Sequence, residues 1–317
     1  MTARPRIGRR ERVKAARLLA SLLACVAAGE AQAHAGHVHW LDAASTWTWD
    51  PWVIVPLALS GALYVAGLVR LWRRAGVGRG VRLWQAACFA LAWGLLVFAL
   101  VAPLHWLGGR LFVAHMVEHE ILMTAAAPLL VLARPVVMLW ALPARWRRSL
   151  GGIGRVPAVA RCWARLTDPA VATLVHGAVL WAWHVPSLYQ AALGDPRVHW
   201  LQHLGFFVTA LLFWRALLQG HERAYGAAVF YLFATSLHTG FLGVLLAFAR
   251  RPLYPAQTAG AAEWGLTPLE DQQLAGLVMW VPAGLVYTAA ALALAGLWIA
   301  RSGSQARRGG YHAAAAR

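Results

Sequence analysis

Apolar residues fall in seven long blocks: Trp52 to Trp72, Leu83 to Leu104, Leu111 to Leu132, Pro169 to Tyr189, Val198 to Leu218, Gly226 to Ala249, and Leu274 to Ala300. Each is close to the roughly 20 residues that carry an α-helix across a bilayer. The pattern predicts an all-α, polytopic membrane protein with seven transmembrane helices. Asp50-Pro51, Asp168-Pro169 and Asp195-Pro196 place a carboxylate before a proline where the first, fourth and fifth blocks begin, the arrangement of an N-cap followed by proline at the first helical position. Thr267-Pro-Leu-Glu270 reads as a capping box at the seventh.

The connections carry the positive charge unequally. Residues 70–82, 133–168, 215–225 and 301–317 hold 18 Arg, whereas the alternate connections hold only Arg110, Arg197, Arg250 and Arg251. Cytoplasmic loops are the Arg-rich ones, so the mature N-terminus is expected outside and the C-terminus inside. The stretch 133–168 interleaves Trp140, Trp146 and Trp163 with Arg and is expected to lie along the inner surface. Residues 301–317 form a short cytoplasmic tail.

Ahead of the first block, seven basic residues precede the short apolar run Leu18 to Ala28, which ends in Ala31-Gln-Ala33. This reads as a cleavable signal peptide over residues 1–33, too short to be a span. Residues 34–51 are then an outer leader bearing His34, His37 and His39.

Composition agrees with this organisation. Sixty per cent of residues are hydrophobic, mean hydropathy is +0.54 and 13% are charged, a balance outside the soluble range. The net charge of +17 sits in short loops, so it reports membrane orientation and a lipid bilayer partner, not nucleic acid. Cys25 falls in the signal, and Cys88 and Cys162 form no CxxC pair, which excludes thiolate metal chemistry and thiol exchange.

Chemistry concentrates in the third block, at His115-Met-Val-Glu-His-Glu-Ile-Leu-Met123. Ionisable side chains in a span are costly and face a protein interior. His115 and His119 are one turn apart, and Met123 continues their stripe if the helix is regular. Topology puts His184, His199, His203, His105 and Asp271 at the same outer depth, with His238 near mid-membrane and His176 deeper. An imidazole cluster with a thioether favours a soft ion such as Cu(I). The candidate metal ligands are His115, His119, His184, His199, His203, Met123 and Asp271. A b-type haem is the competing reading, but an i,i+4 pair on one helix cannot supply both axial ligands, and the cluster has room for one haem at most. A copper permease is a third, and would need polar groups continuing through the inner half.

Several stretches together resemble one family. They are His115-Met-Val-Glu-His119 with Ala127-Pro-Leu-Leu130, His184-Val-Pro-Ser-Leu-Tyr189, His199-Trp-Leu-Gln-His203, Arg251-Pro-Leu-Tyr-Pro255, and Leu269-Glu-Asp-Gln-Gln-Leu-Ala-Gly276 before Met279-Trp280. Over residues 50 to 300 the chain resembles the CtaG-type cytochrome c oxidase assembly factors. The resemblance implies a multi-pass protein of the bacterial cytoplasmic membrane that acts without turnover chemistry. It further implies that copper is delivered to cytochrome c oxidase subunits, alone or with other copper chaperones. It carries over His115, His119, His184, His199, His203 and the Glu270-Asp-Gln272 segment as characteristic positions. Glu118 and Glu120 depart from the family pattern, which has Gln and an apolar residue there, and neither lies on the His115–His119 stripe.

Overall fold

The computed structural model describes residues 46–219 and 225–315, with side chains to 302. The signal peptide and His34, His37 and His39 lie outside the described residues. Of the described residues 82% are helical and none is in a strand. The principal helices are α1 (Pro51–Ala75), α2 (Leu83–Leu100), α3 (Phe112–Leu132), α4 (Pro169–Trp183), α5 (Pro186–Gly194), α6 (Pro196–Leu218), α7 (Tyr225–Ala247) and α8 (Pro268–Ala315).

Six of these helices are long and apolar enough to cross a membrane. The fourth expected span differs from a straight rod: α4 and α5 meet at 72° across His184 and Val185. The cause is Pro186, which removes a backbone donor and pushes Val185 into an extended conformation, with φ −66° and ψ 126°. Counting this bent pair as one span gives seven. Residues 144–153 and 157–166, within the Arg/Trp-rich connection, are short helices without a buried residue.

The expected caps are present. Asp50 accepts from Trp52 N at 2.9 Å, Asp168 from Ala170 N at 3.0 Å, and Asp195 from Arg197 N at 2.7 Å. Glu270 accepts from Thr267 N at 2.7 Å, and the Thr267 hydroxyl accepts from Glu270 N at 3.3 Å, closing the capping box.

α3 is not a uniform helix. Residues Phe112–Glu120 are α-helical, Ile121–Ala126 form a π segment, and Ala127–Leu132 resume the α-helix. Pro128 explains the change. The Ala127 N–H reaches back to the Leu122 carbonyl, and Pro128 has no N–H, so the Met123 carbonyl has no donor within its own helix. The Trp214 indole of α6 supplies one at 2.8 Å. π segments insert part of a turn and rotate everything that follows. Met123 packs in the main apolar core with Phe206, Phe213 and Trp214.

That core is shared by α3, α4, α6, α7 and α8. α7 and α8 approach until backbones touch: a Cβ on Gly276 would lie 2.5 Å from the Gly243 carbonyl oxygen, and one on Gly243 would lie 2.7 Å from that of Gly276. Only glycine at both positions allows this spacing, the small-residue packing typical of membrane helices. α1 and α2 join through smaller clusters: Tyr64 stacks on Phe89 with centroids 3.6 Å apart and donates to the Ala133 carbonyl at 2.8 Å.

Candidate metal centre

Two helices supply most of the site. His115 and His119 are one turn apart on the α-helical part of α3, and His199 and His203 one turn apart on α6. Asp271 fixes where α3 begins, because its two carboxylate oxygens accept from the Phe112 and Val113 amides at 2.8 and 2.9 Å. These donors have no partner within their helix, so a carboxylate from α8 satisfies them and favours the positive helix end. Both oxygens of Asp271, expected as a metal ligand, are thus engaged by the backbone, and it is not one of the three converging residues.

His115, His119 and His203 converge. One ring nitrogen from each lies within 4.8 Å of the others, and the residues are 2%, 1% and 4% exposed. Ring centroids are 4.3 Å apart for His115 and His119 and 5.0 Å for His119 and His203. Four buried nitrogens in the trio lack a hydrogen-bond partner: His115 Nε2, both nitrogens of His119, and His203 Nδ1. Each such orphan costs about 1–3 kcal/mol. Three nitrogens around a common ion about 2 Å away would stand about 3.5 Å apart, so small side-chain rotations close the triangle.

Around the trio, the remaining polar groups hold the rings. His203 Nε2 and His199 Nε2 share a hydrogen bond at 3.0 Å, which leaves His203 Nδ1 as its unpartnered nitrogen. Glu118 accepts from His105 Nδ1 at 3.0 Å through one oxygen and faces His115 Nδ1 at 3.8 Å with the other. With the carboxylate at Nδ1, the orphaned Nε2 of His115 is the nitrogen left for an ion, the arrangement of a metal-binding histidine steered by a carboxylate. Gly108 makes the room, since a Cβ there would lie 2.9 Å from Glu118 Oε2. Burial pulls His105 toward neutrality, but the Glu118 hydrogen bond and charge, together with Asp50, prevail and raise its pKa above the ordinary value.

Other candidates stand apart. His184 donates from Nδ1 to the Leu180 carbonyl at 2.7 Å, while its buried Nε2 is without a partner. It sits beside Phe206 at 5.9 Å, outside the trio. Met123 lies in the π segment, one helical step beyond His119, and packs in the apolar core with Met116 and Phe206. His238 accepts from the Trp181 indole at 3.4 Å. His176 pairs with the Thr209 hydroxyl at 3.1 Å. Glu120 is buried with Oε2 unpartnered.

Sequence reasoning missed Glu118 and Gly108, and placed His105 only by depth. The available signal was the i,i+3 spacing of His115 and Glu118, which puts them on neighbouring faces.

A family model described as cytochrome c oxidase caa3 assembly factor (Caa3_CtaG) matches residues 62–301. No curated protein and no solved structure gives a significant match. The matched range contains every residue of the histidine cluster and runs through the span part of α8. The chain belongs to the caa3-type cytochrome c oxidase assembly factor family.

Proposed function

We propose that the protein binds Cu(I) at His115, His119 and His203 and hands it to a haem-copper oxidase during assembly. In this reading it sits in the bacterial cytoplasmic membrane after removal of its signal peptide, with the cluster toward the outer side and the C-terminus inside. The supporting observation is the set of four orphaned ring nitrogens on three convergent, buried histidines. Buried polar groups otherwise find partners, and a coordinated ion is the partner that three acceptor nitrogens share.

The donor set fits copper among the ions that imidazole binds. Imidazoles without a thiolate suit copper, and the nearby Glu118 carboxylate offsets a single positive charge. His199 and His184 flank the trio and are the next nitrogens an ion meets on leaving it. Weak, exchangeable coordination suits cargo better than a resident cofactor. A haem fits less well: the rings of His105, His115, His119, His199 and His203 stand at centroid spacings from 4.3 to 5.9 Å, leaving no plane for a macrocycle between them.

X-ray absorption at the copper edge on Cu(I)-loaded protein tests the assignment. Ligands that are all nitrogen support the trio, and sulfur in the coordination sphere overturns it in favour of methionine. An intense Soret band in the protein as isolated would establish haem instead.

A further inference from the structure

A second feature lies beside the cluster. α1, α2, α3 and α6, with the segment after α3, line a half-open groove-like cavity of about 2540 Å³. Trp52 and Arg197, where α1 and α6 begin, mark one end; Arg134, Arg215 and Arg301 mark the other. Its middle is apolar, with Trp93, Leu96, Leu122, Phe207 and Leu211 in the wall. His203 is the one member of the histidine trio that lines it.

We propose that this cavity receives a single transmembrane helix of the oxidase subunit that takes the metal, entering sideways from the bilayer and presenting a carboxylate or its own carboxyl end to Arg134, Arg215 and Arg301. The inference rests on the metal-handling reading above and adds the docking surface to it.

Size comes first. A span of about 20 residues is about 30 Å long and about 10 Å across, a cylinder of about 2400 Å³, close to the cavity volume. A lipid from one leaflet reaches only half that length, whereas the cavity runs from one end of the spans to the other. Tryptophan in the wall, at Trp52, Trp84, Trp93, Trp140, Trp163 and Trp200, is the residue type that most often anchors a packed protein partner.

Charge and metal access then narrow the occupant. Arg215 is half-buried, its Nε is buried without a partner, and its guanidinium lies 5.2 Å from the Trp163 ring. Arg134, held in the left-handed conformation at φ 54°, donates to the Gly80 carbonyl at 3.2 Å. Most spans carry Lys or Arg at their cytoplasmic flank, and such a flank would be repelled here. An acidic or carboxyl-terminal end is accepted, which makes the site selective by charge. His203 in the wall places the trio against whatever lies in the cavity, and a hydrocarbon tail offers copper no ligand.

The test is site-specific photo-crosslinking in membranes that are assembling the oxidase, with the reactive residue at Val208 or Leu211 in the cavity and at Leu237 on the outer face of α7. Cavity positions are expected to give an adduct with a membrane-embedded segment of an oxidase subunit, identified by mass spectrometry, and Leu237 none. Adducts with lipid alone overturn the proposal. Arg215→Glu and the cavity-filling Ser60→Trp are expected to abolish the adduct and lower oxidase copper while the purified variants bind copper as the wild type does. Full oxidase copper in both variants also overturns it. Wild-type protein that binds no copper sinks the metal reading, whatever the crosslinks show, so the two failures are distinguishable.

Discussion

His105 and Glu118, 13 residues apart and on different helices, meet at 3.0 Å between Nδ1 and Oε1, and the same carboxylate faces His115 Nδ1 at 3.8 Å. A residue that looked unexplained on the side of α3 thus ties the short helix Pro103–Gly108 to the cluster and orients a proposed ligand. Partners that orient a metal-bound histidine typically matter about 10- to 100-fold in affinity. Glu118→Gln is therefore expected to weaken Cu(I) binding within that range while keeping stoichiometry, read by competition against a Cu(I) chelator. Unchanged affinity would remove Glu118 from the site.

The same pair gives a pH dependence. His105 has a folded-state pKa above its unfolded value near 6.5, so its pairing stabilises the fold fully below about pH 6.5 and the contribution is lost as pH rises through the raised value. The part of the Tm difference between wild type and Glu118→Gln that comes from this pair is expected to shrink as pH rises above neutrality. A difference that grows with pH would reverse the assigned charge state.

Asp271 holds the two leading amides of α3 rather than an ion. Asp271→Ala leaves both buried donors without their acceptor and is expected to cost about 2 kcal/mol of stability. Below its lowered Tm, the variant is expected to bind the same amount of copper. Loss of the copper with an intact fold would restore Asp271 as a ligand.

Gly276 and Gly243 set the α7–α8 spacing. Gly276→Ala forces a Cβ against backbone and is expected to lower stability by about 1–3 kcal/mol, seen as a drop in Tm. Gly296→Ala, where a Cβ meets nothing within 4 Å, is the control and should leave Tm unchanged.

Much of this was legible in the chain because it depends on local spacing. The Asp-Pro pairs mark helix starts, and the i,i+4 pairs His115–His119 and His199–His203, once given a depth by the Arg distribution, name the two helices that meet. The π segment at Met123 was not legible: Pro128 holds the clue, yet the segment also needs Trp214, 91 residues away, to satisfy the freed carbonyl. The bend at His184 was signalled by Val185-Pro186, although apolar length alone reads through it. The backbone contacts of Asp271 were not legible, since its partners, Phe112 N and Val113 N, are 159 and 158 residues away. Glu118 needed His105 and Gly108 brought beside it, which no periodicity encodes.

The most direct measurement is the copper retained by purified protein after Cu(I) loading and a chelator challenge, in wild type and in the His119→Ala, His203→Ala double variant. Wild type is expected to keep about one copper per chain, and the double variant, shown to be folded by its helical circular dichroism, to keep none. Equal copper in the two proteins would contradict the assignment of the cluster as the copper site.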